Sequence, residues 1–183
     1  FNEDETTTIV LSSSDGDGDE LSYSITSGSD ITAAVSGSDV TFIASVNYYG
    51  SESFIISVSD GILTDSQSIT VTVVAVNDAP VANAVYATTN EDESIIIMLL
   101  GSDLDGDILS FSLASEATNG SVIINGSAAT YTPSQDYHGN DSFTFTASDG
   151  ELSDTATVTI TITAINDAPV LATIGDQTSY GEG

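Results

Sequence analysis

The chain has no lysine and no arginine against 28 aspartates and glutamates, a formal net charge of −28. Without cations to meet phosphate it has no means of gripping nucleic acid, and binding to anionic membrane surfaces is excluded on the same ground. Cysteine is absent, which removes disulfides and thiolate metal sites. It does not exclude an extracellular home, because domains of this size can build a core without disulfides. No apolar run approaches the ~18 residues of a membrane-spanning helix, and a 3.6-residue periodicity is missing throughout. The chain opens on Phe1 with neither an initiator Met nor a leader sequence, so it reads as a segment of something longer.

What remains is apolar enough to fold. At 40% hydrophobic residues over 183 positions, the composition is wrong for a disordered acidic tail and right for two ordinary domains. The acidity is then a physical problem. Two carboxylates about 4 Å apart repel by roughly 4 kcal/mol at an effective dielectric near 20. Clustered carboxylates that neither protonate nor meet a cationic side chain are expected to meet a metal, and a salt-rich environment would screen what is left.

Self-similarity organises the chain. VNDAPV at 76–81 returns as INDAPV at 165–170. Asn2-Glu3-Asp4-Glu5 returns as Asn90-Glu91-Asp92-Glu93, and the DGDGD run from Asp15 returns as DLDGD from Asp103. Tyr49-Gly50 matches His138-Gly139, and Ser59-Asp60-Gly61 matches Ser148-Asp149-Gly150. This constant register divides the chain into 1–79, a complete unit at 80–168, and the opening strand of a third unit at 169–183. Phe1 aligns with Thr89, so the first unit has no counterpart of 81–87.

Inside each unit the period is two. Phe143, Phe145 and Ala147 alternate with Ser142, Thr144, Thr146 and Ser148, while Val158, Ile160 and Ile162 alternate with threonines. One face is buried and the Ser/Thr face meets water. Strands are predicted at 81–87, 94–100, 109–113, 122–124, 129–131, 142–148 and 157–163, with Asn125-Gly126 as a tight hairpin turn. In the first unit they fall at 7–11, 21–26, 31–35, 40–44, 53–58 and 68–76. Seven short strands in the complete unit, and six of the same set in the first, imply an all-β chain of tandem Greek-key immunoglobulin-like sandwiches set end to end.

In such a sandwich the B–C and F–G loops share one end. Asp103, Asp105 and Asp149 belong to those loops in the second unit, and Asn77 and Asp78 enter at the same end. Glu91 should lie at the other end, beside Asn166 and Asp167, and by the same logic Glu3 lies near Asn77 and Asp78. Glu3, Asn77 and Asp78 are therefore expected to converge with Asp103, Asp105 and Asp149 on one junction. Asp15, Asp17 and Asp60 form the matching head group of the first unit. Oxygen ligands in this number suit calcium, which takes about 6–8 of them in loose geometry. A DxDGD run also reads as a plain solvated turn. An EF-hand does not fit, since Glu20 and Ile108 stand where its glycine belongs.

GSDLDGDILSFSL, the strand-end ASDG, the Thr/Ile-alternating last strand and INDAPV together resemble bacterial cadherin-like repeats, the tandem modules of large secreted adhesins. The resemblance covers all of the second unit and nearly all of the first. It implies that calcium is bound by Asp103 and Asp105, by Asn77 and Asp78, and by Glu3, with Asp149 as a later F–G ligand. It further implies a surface or extracellular location and neighbouring repeats of the same chain as partners. The sequence departs from the cadherin linker at Ala75 and Ala79 (Ala164 and Ala168 in the second copy), and no DRE segment precedes strand F, where only Asn47 or Asp136 lies nearby. One or two ions are therefore expected at the central hinge rather than three, and the clusters at the two ends, each missing a neighbour, are expected to bind more weakly.

The expected role is non-catalytic: a calcium-stiffened extender segment of an adhesin. The alternative is a calcium-dependent module that binds carbohydrate or a like repeat on another cell, for which Tyr48, Tyr49 and Tyr137 would have to offer a stacking platform. Tyr48 and Tyr137 also read as corner braces before strand F, and His138 as a structural residue of the same corner. The fragment is expected to be monomeric, or to pass the strand after Pro169 head to tail into the first unit of a neighbour.

Overall fold

A computed structural model describes residues 1–169 and 171. The expected opening strand of a third unit at 169–183 lies, but for two positions, outside the described residues. The chain divides into two compact units, Phe1–Asn77 and the residues from Asp78 onward. Among the described residues every regular element is a strand.

Unit 1 contains β1 (Thr6–Val10), β2 (Ser22–Ile25), β3 (Ile31–Ser36), β4 (Asp39–Ala44), β5 (Gly50–Ser59) and β6 (Thr64–Val73). They form two three-stranded sheets, β1-β4-β3 and β2-β5-β6. Alternate residues of these strands meet between the sheets: Ile31, Val40, Phe42, Phe54, Val71 and Val73 are buried together. Phe42 and Phe54 contact edge to face with ring centres 5.3 Å apart, the arrangement favoured by the ring quadrupoles.

Unit 2 contains β7 (Val81–Asn83), β8 (Val85–Asn90), β9 (Ile95–Met98), β10 (Leu100–Ser102), β11 (Ser110–Ser115), β12 (Gly120–Asn125), β13 (Ala128–Pro133), β14 (Gly139–Ser148) and β15 (Ser153–Thr163). One layer is β11-β14-β15-β8 and the other β12-β13-β9. Phe143, Phe145, Val158, Ile160 and Ile162 from the first layer bury against Ile97, Ala129 and Tyr131 from the second. The period-two reading of the sequence holds on both sides of this core.

Two local expectations are corrected. The strand predicted at 81–87 is broken at Ala84. Its first half, β7, pairs antiparallel with β10, and its second half, β8, pairs parallel with β15. One strand thus changes sheets and closes the side of the sandwich. The hairpin turn is Gly126-Ser127 rather than Asn125-Gly126, because Asn125 still pairs with Ala128. Gly126 has a φ of 60°, a backbone angle that costs glycine least, so the turn centres one residue later than the Asn-Gly pattern suggested.

Candidate metal centre

At the end of unit 2 where β15 finishes, three carboxylates from distant segments gather. Asp92 follows β8, Asp136 precedes β14, and Asp167 follows β15. All three are exposed, and one carboxylate oxygen from each lies within 4.8 Å of the others. Asp92 and Asp136 adopt left-handed backbone, with φ of 60° and 58°, which aspartate tolerates better than most residues. The Asp136 N–H donates to Asp92 Oδ1 at 3.0 Å, pinning the two turns together. The Asp136 carboxyl is held above its ordinary range by burial and then by the charges of Asp92, Asp167 and Glu91. Uncompensated like charge is the electrostatic condition a cation relieves.

Glu91 lies beneath this group and is buried, with 8% of its surface exposed. Its N–H donates to Thr163 O at 2.9 Å, and its Oε1 accepts the Ile165 N–H at 2.5 Å. His138 Nδ1 stands 3.5 Å from its Oε2. Glu91 therefore ties the exit of β15 to the end of β8, and Asn166 and Asp167 leave from that point. The same device recurs in unit 1: Val76 N–H donates to Glu3 Oε1 at 2.6 Å, and Asn47 N–H donates to Asp4 Oδ1 at 3.2 Å.

The opposite end of unit 2 holds Asp78, Asp103, Asp105 and Asp149. The Asp78 N–H donates to Asp105 Oδ2 at 2.8 Å, so the start of the unit is drawn onto the DLDGD loop. Asp103 Oδ1 accepts the Asp107 N–H at 3.2 Å. Its Oδ2 is buried and takes part in no hydrogen bond, a costly arrangement for a carboxylate oxygen unless a cation meets it. Asp149 Oδ1 accepts the N–H groups of Glu151 and Leu152 at 2.6 and 2.7 Å, closing the β14–β15 turn.

In unit 1 the matching residues act as turn closers. Asp15 Oδ1 accepts the N–H groups of Asp17, Gly18 and Asp19, and these bonds, led by that from Asp19, hold its carboxyl below the ordinary range. Asp60 Oδ1 accepts from Ile62 and Leu63, each at 2.7 Å. Its carboxyl is lowered by Leu63 and then Ile62, while the Asp15 charge acts in the opposite direction. Asp17 is exposed and contributes its N–H to the Asp15 turn. This revises the expectation that carboxylates without cationic neighbours require metal. Backbone N–H groups supply a third solution, and in Asp15, Asp60 and Asp149 those bonds fall on Oδ1.

Of the anticipated ligands, Asp167 is brought into a three-carboxylate group and Glu91 lies directly beneath it. Glu3 and Asn77 belong to unit 1, while Asp78, Asp103, Asp105 and Asp149 belong to unit 2. The sequence reading missed Asp92 and did not count Asp136 among the ligands. The available signal was positional, since both stand where the first unit carries a polar residue, Asp4 or Asn47, in the same left-handed backbone.

It also missed Asp141. This buried carboxylate accepts the Tyr131 hydroxyl at 2.8 Å and the N–H groups of Thr118, Asn119 and Ser142 at 3.1, 2.9 and 2.9 Å. Burial pushes Asp141 up, and the four hydrogen bonds outweigh it, leaving the carboxyl below the ordinary range. Glu52 does the same work in unit 1 for Ser29, Asp30 and Ile31.

The corner tyrosines are also accounted for. Tyr137 donates its hydroxyl to Asn140 O at 2.8 Å, downstream rather than upstream of the corner. Tyr48 and Tyr137 lie against Gly50 and Gly139, where an added Cβ would come within 2.8 and 3.2 Å of the tyrosine hydroxyls.

A family model described as the bacterial Ig domain matches residues 1–72 and 77–161. The chain belongs to the bacterial Ig-domain family. Among solved structures, the chain is similar in fold to cadherin repeats. Human protocadherin-24 EC1-2 (form II) matches at a TM-score of 0.57 and 16% identity, over 88% of this chain and 88% of that one. Drosophila N-cadherin EC1-4 matches at 0.55 and 14%, over 88% of this chain and 45% of that one. These likenesses show that the chain shares its fold with cadherin repeats. An endo-fucoidan hydrolase from glycoside hydrolase family 107 aligns at 27% identity with a TM-score of 0.41; this chain spans only 24% of its length. Comparison with curated proteins finds no match.

Proposed function

We propose that this chain is an extender segment of a bacterial cell-surface adhesin, exposed outside the cell, whose repeat ends are stiffened by calcium. One observation carries the reading: Asp92, Asp136 and Asp167 bring carboxylate oxygens within 4.8 Å of one another at the end of unit 2. An all-oxygen donor set with carboxylates from three separate turns fits a hard, geometrically tolerant cation. The unpartnered Asp103 Oδ2 supports a second site of the same kind, with Asp105 beside it and Asp78 drawn to the same loop. Calcium bound there neutralises charge and ties together turns that otherwise repel. A cation at the Asp103 loop would hold the Asp78 end of unit 2 in place, and its removal would free the segment around 77–80. The role is mechanical rather than catalytic. The alternative of a sugar-binding module loses support from Tyr48 and Tyr137, whose rings cover glycines at the corners.

Calorimetric titration tests the site. Calcium binds the parent chain, and both Asp92→Asn and Asp136→Asn weaken binding by about tenfold or more. X-ray scattering tests the mechanics, with a longer maximum dimension and narrower distance distribution in calcium than in chelator. Heat-silent titration together with unchanged scattering refutes the proposal.

A further inference from the structure

Asn-Gly occurs twice in the chain, at Asn119-Gly120 and at Asn125-Gly126. The pair has a chemistry of its own. The amide nitrogen of the residue after an asparagine can attack the side-chain Cγ, and a glycine leaves that nitrogen unshielded because it has no Cβ. Closing the ring requires rotation about the asparagine Cα–C bond, which swings the asparagine carbonyl out of any hydrogen bond it accepts. The fold therefore decides which of two identical dipeptides reacts.

At Asn119 the fold opposes that rotation. The Asn119 carbonyl accepts the Ser134 N–H at 2.8 Å and the Tyr131 hydroxyl at 3.4 Å, and the Asn119 N–H donates to the buried Asp141 at 2.9 Å. Gly120 is sealed as well, since a Cβ added there would run into the Tyr131 ring and the Thr132 carbonyl. At Asn125 much less stands in the way. The residue is exposed, and its pairing with Ala128 is the last rung of β12–β13. Terminal rungs of this kind open at far lower cost than global unfolding. Gly126 is exposed too, with nothing within 4 Å of an added Cβ, so water reaches the peptide. Charge favours the same site. Residues 94–102 and 117–135, which hold β9, β10, β12 and β13, contain no Asp or Glu. The amide anion formed during attack is therefore not opposed by a carboxylate of its own sheet.

We propose that Asn125 is a site of spontaneous backbone modification that ages the β12–β13 hairpin of unit 2. The Gly126 nitrogen loses its proton to hydroxide and bonds to Asn125 Cγ. The Cγ–Nδ2 bond breaks, the leaving nitrogen takes a proton from water and departs as ammonia, and a five-membered succinimide remains. Water then opens the ring at one of its two C–N bonds. Breaking the bond to Cγ yields aspartate, and breaking the bond to the Asn125 main-chain carbonyl carbon yields isoaspartate, in which the chain runs through Cβ. Both products put a carboxylate into a sheet that has none, and isoaspartate lengthens the strand by one atom where it meets the turn. The Ser127 carbonyl accepts the N–H of the buried Leu99 at 2.8 Å, so a loosened turn also loosens its tie to the core. Unit 1 builds the same hairpin, with Ser36 paired to Asp39 and Gly37 at a φ of 62°. A serine there offers no side-chain carbonyl carbon to attack, so the chemistry is confined to unit 2.

Incubation of the full chain in mildly alkaline buffer with chelator tests this apart from the calcium reading. Peptide mapping by mass spectrometry, with fragmentation that separates isoaspartate from aspartate, reads the products. In the folded chain, conversion at Asn125 is expected to outrun conversion at Asn119 by about tenfold or more and to speed up as pH rises. In urea the two sites should convert at similar rates. Ser36→Asn, which sets an asparagine before Gly37 in the same turn, should also convert, more slowly than Asn125 because the Asp39 carboxylate belongs to the facing residue. Ageing should lower the melting temperature of unit 2 in the parent chain and leave it unchanged in Asn125→Ser. An Asn125 that stays intact overturns the proposal, as do equal rates at Asn119 and Asn125 in the folded chain. So does an intact asparagine in Ser36→Asn, or a melting temperature that falls as far in Asn125→Ser as in the parent chain.

Discussion

The two units follow one pattern yet differ in how their buried polar groups and corner turns are paired. Tyr131 in unit 2 reaches the buried Asp141, while unit 1 has Phe42 at that position and leaves Glu52 to bind backbone alone. The corner of unit 2 gathers Asp92 with Asp136, while unit 1 places Asn47 beside Asp4. Alternation of side chains builds a sandwich, but the pairing of its few buried polar groups decides how firmly it holds.

The largest contrast should come from the core. Leu99→Ala is expected to cost unit 2 about 3–4 kcal/mol, against about 1 kcal/mol for Leu11→Ala in unit 1, where the side chain already meets solvent. Urea unfolding resolves the two transitions, and equal losses would erase the distinction drawn between the units.

Next is Asp141→Ala, which leaves the Tyr131 hydroxyl and three N–H groups without their acceptor and should cost about 3 kcal/mol. Glu52→Ala should cost less, since no buried hydroxyl depends on it. The same pairing sets a pH dependence. The folded-state pKa of Asp141 is depressed, so its contribution is fully present above the ordinary aspartate value of 3.8 and is lost as pH falls through the lower folded value. Acid unfolding followed by circular dichroism should show this loss in the parent chain and a flatter profile below pH 3.8 in Asp141→Ala.

A smaller effect separates the two corners. Asn47→Asp should raise calcium affinity at the unit 1 corner, and Asp136→Asn should lower it at the unit 2 corner by about tenfold. Opposite signs in calorimetry would establish that the charge at this position sets the difference. The smallest effect is expected from His138→Ala. The ring is 64% exposed, so unit 2 should shift by less than about 0.5 kcal/mol.

Much of the fold could be read from the sequence because it is written locally. The spacing of Phe143, Phe145 and Ala147 gives a strand with one buried face, and the return of NEDE, DxDGD and NDAP gives the repeat. The site was read less completely. The repeated motifs single out Asp167 and Glu91, whereas Asp92 and Asp136, which the fold gathers beside Asp167, carry no signature beyond a polar residue in a turn. Asp141 resembles any aspartate of a polar strand end, and its burial depends on Tyr131 arriving from another sheet.

By itself the sequence determined the all-β class, the tandem organisation and the absence of any cationic partner within the chain, since each follows from residue type and spacing along one strand. Only the tertiary structure decided which carboxylates are held by backbone amides and which face each other across a gap. It also decided that the first strand of unit 2 changes sheets at Ala84. Those outcomes depend on segments far apart in the chain meeting in space. Electrostatic repulsion, hydrogen bonding and apolar contact act on that separation, not on the distance along the sequence.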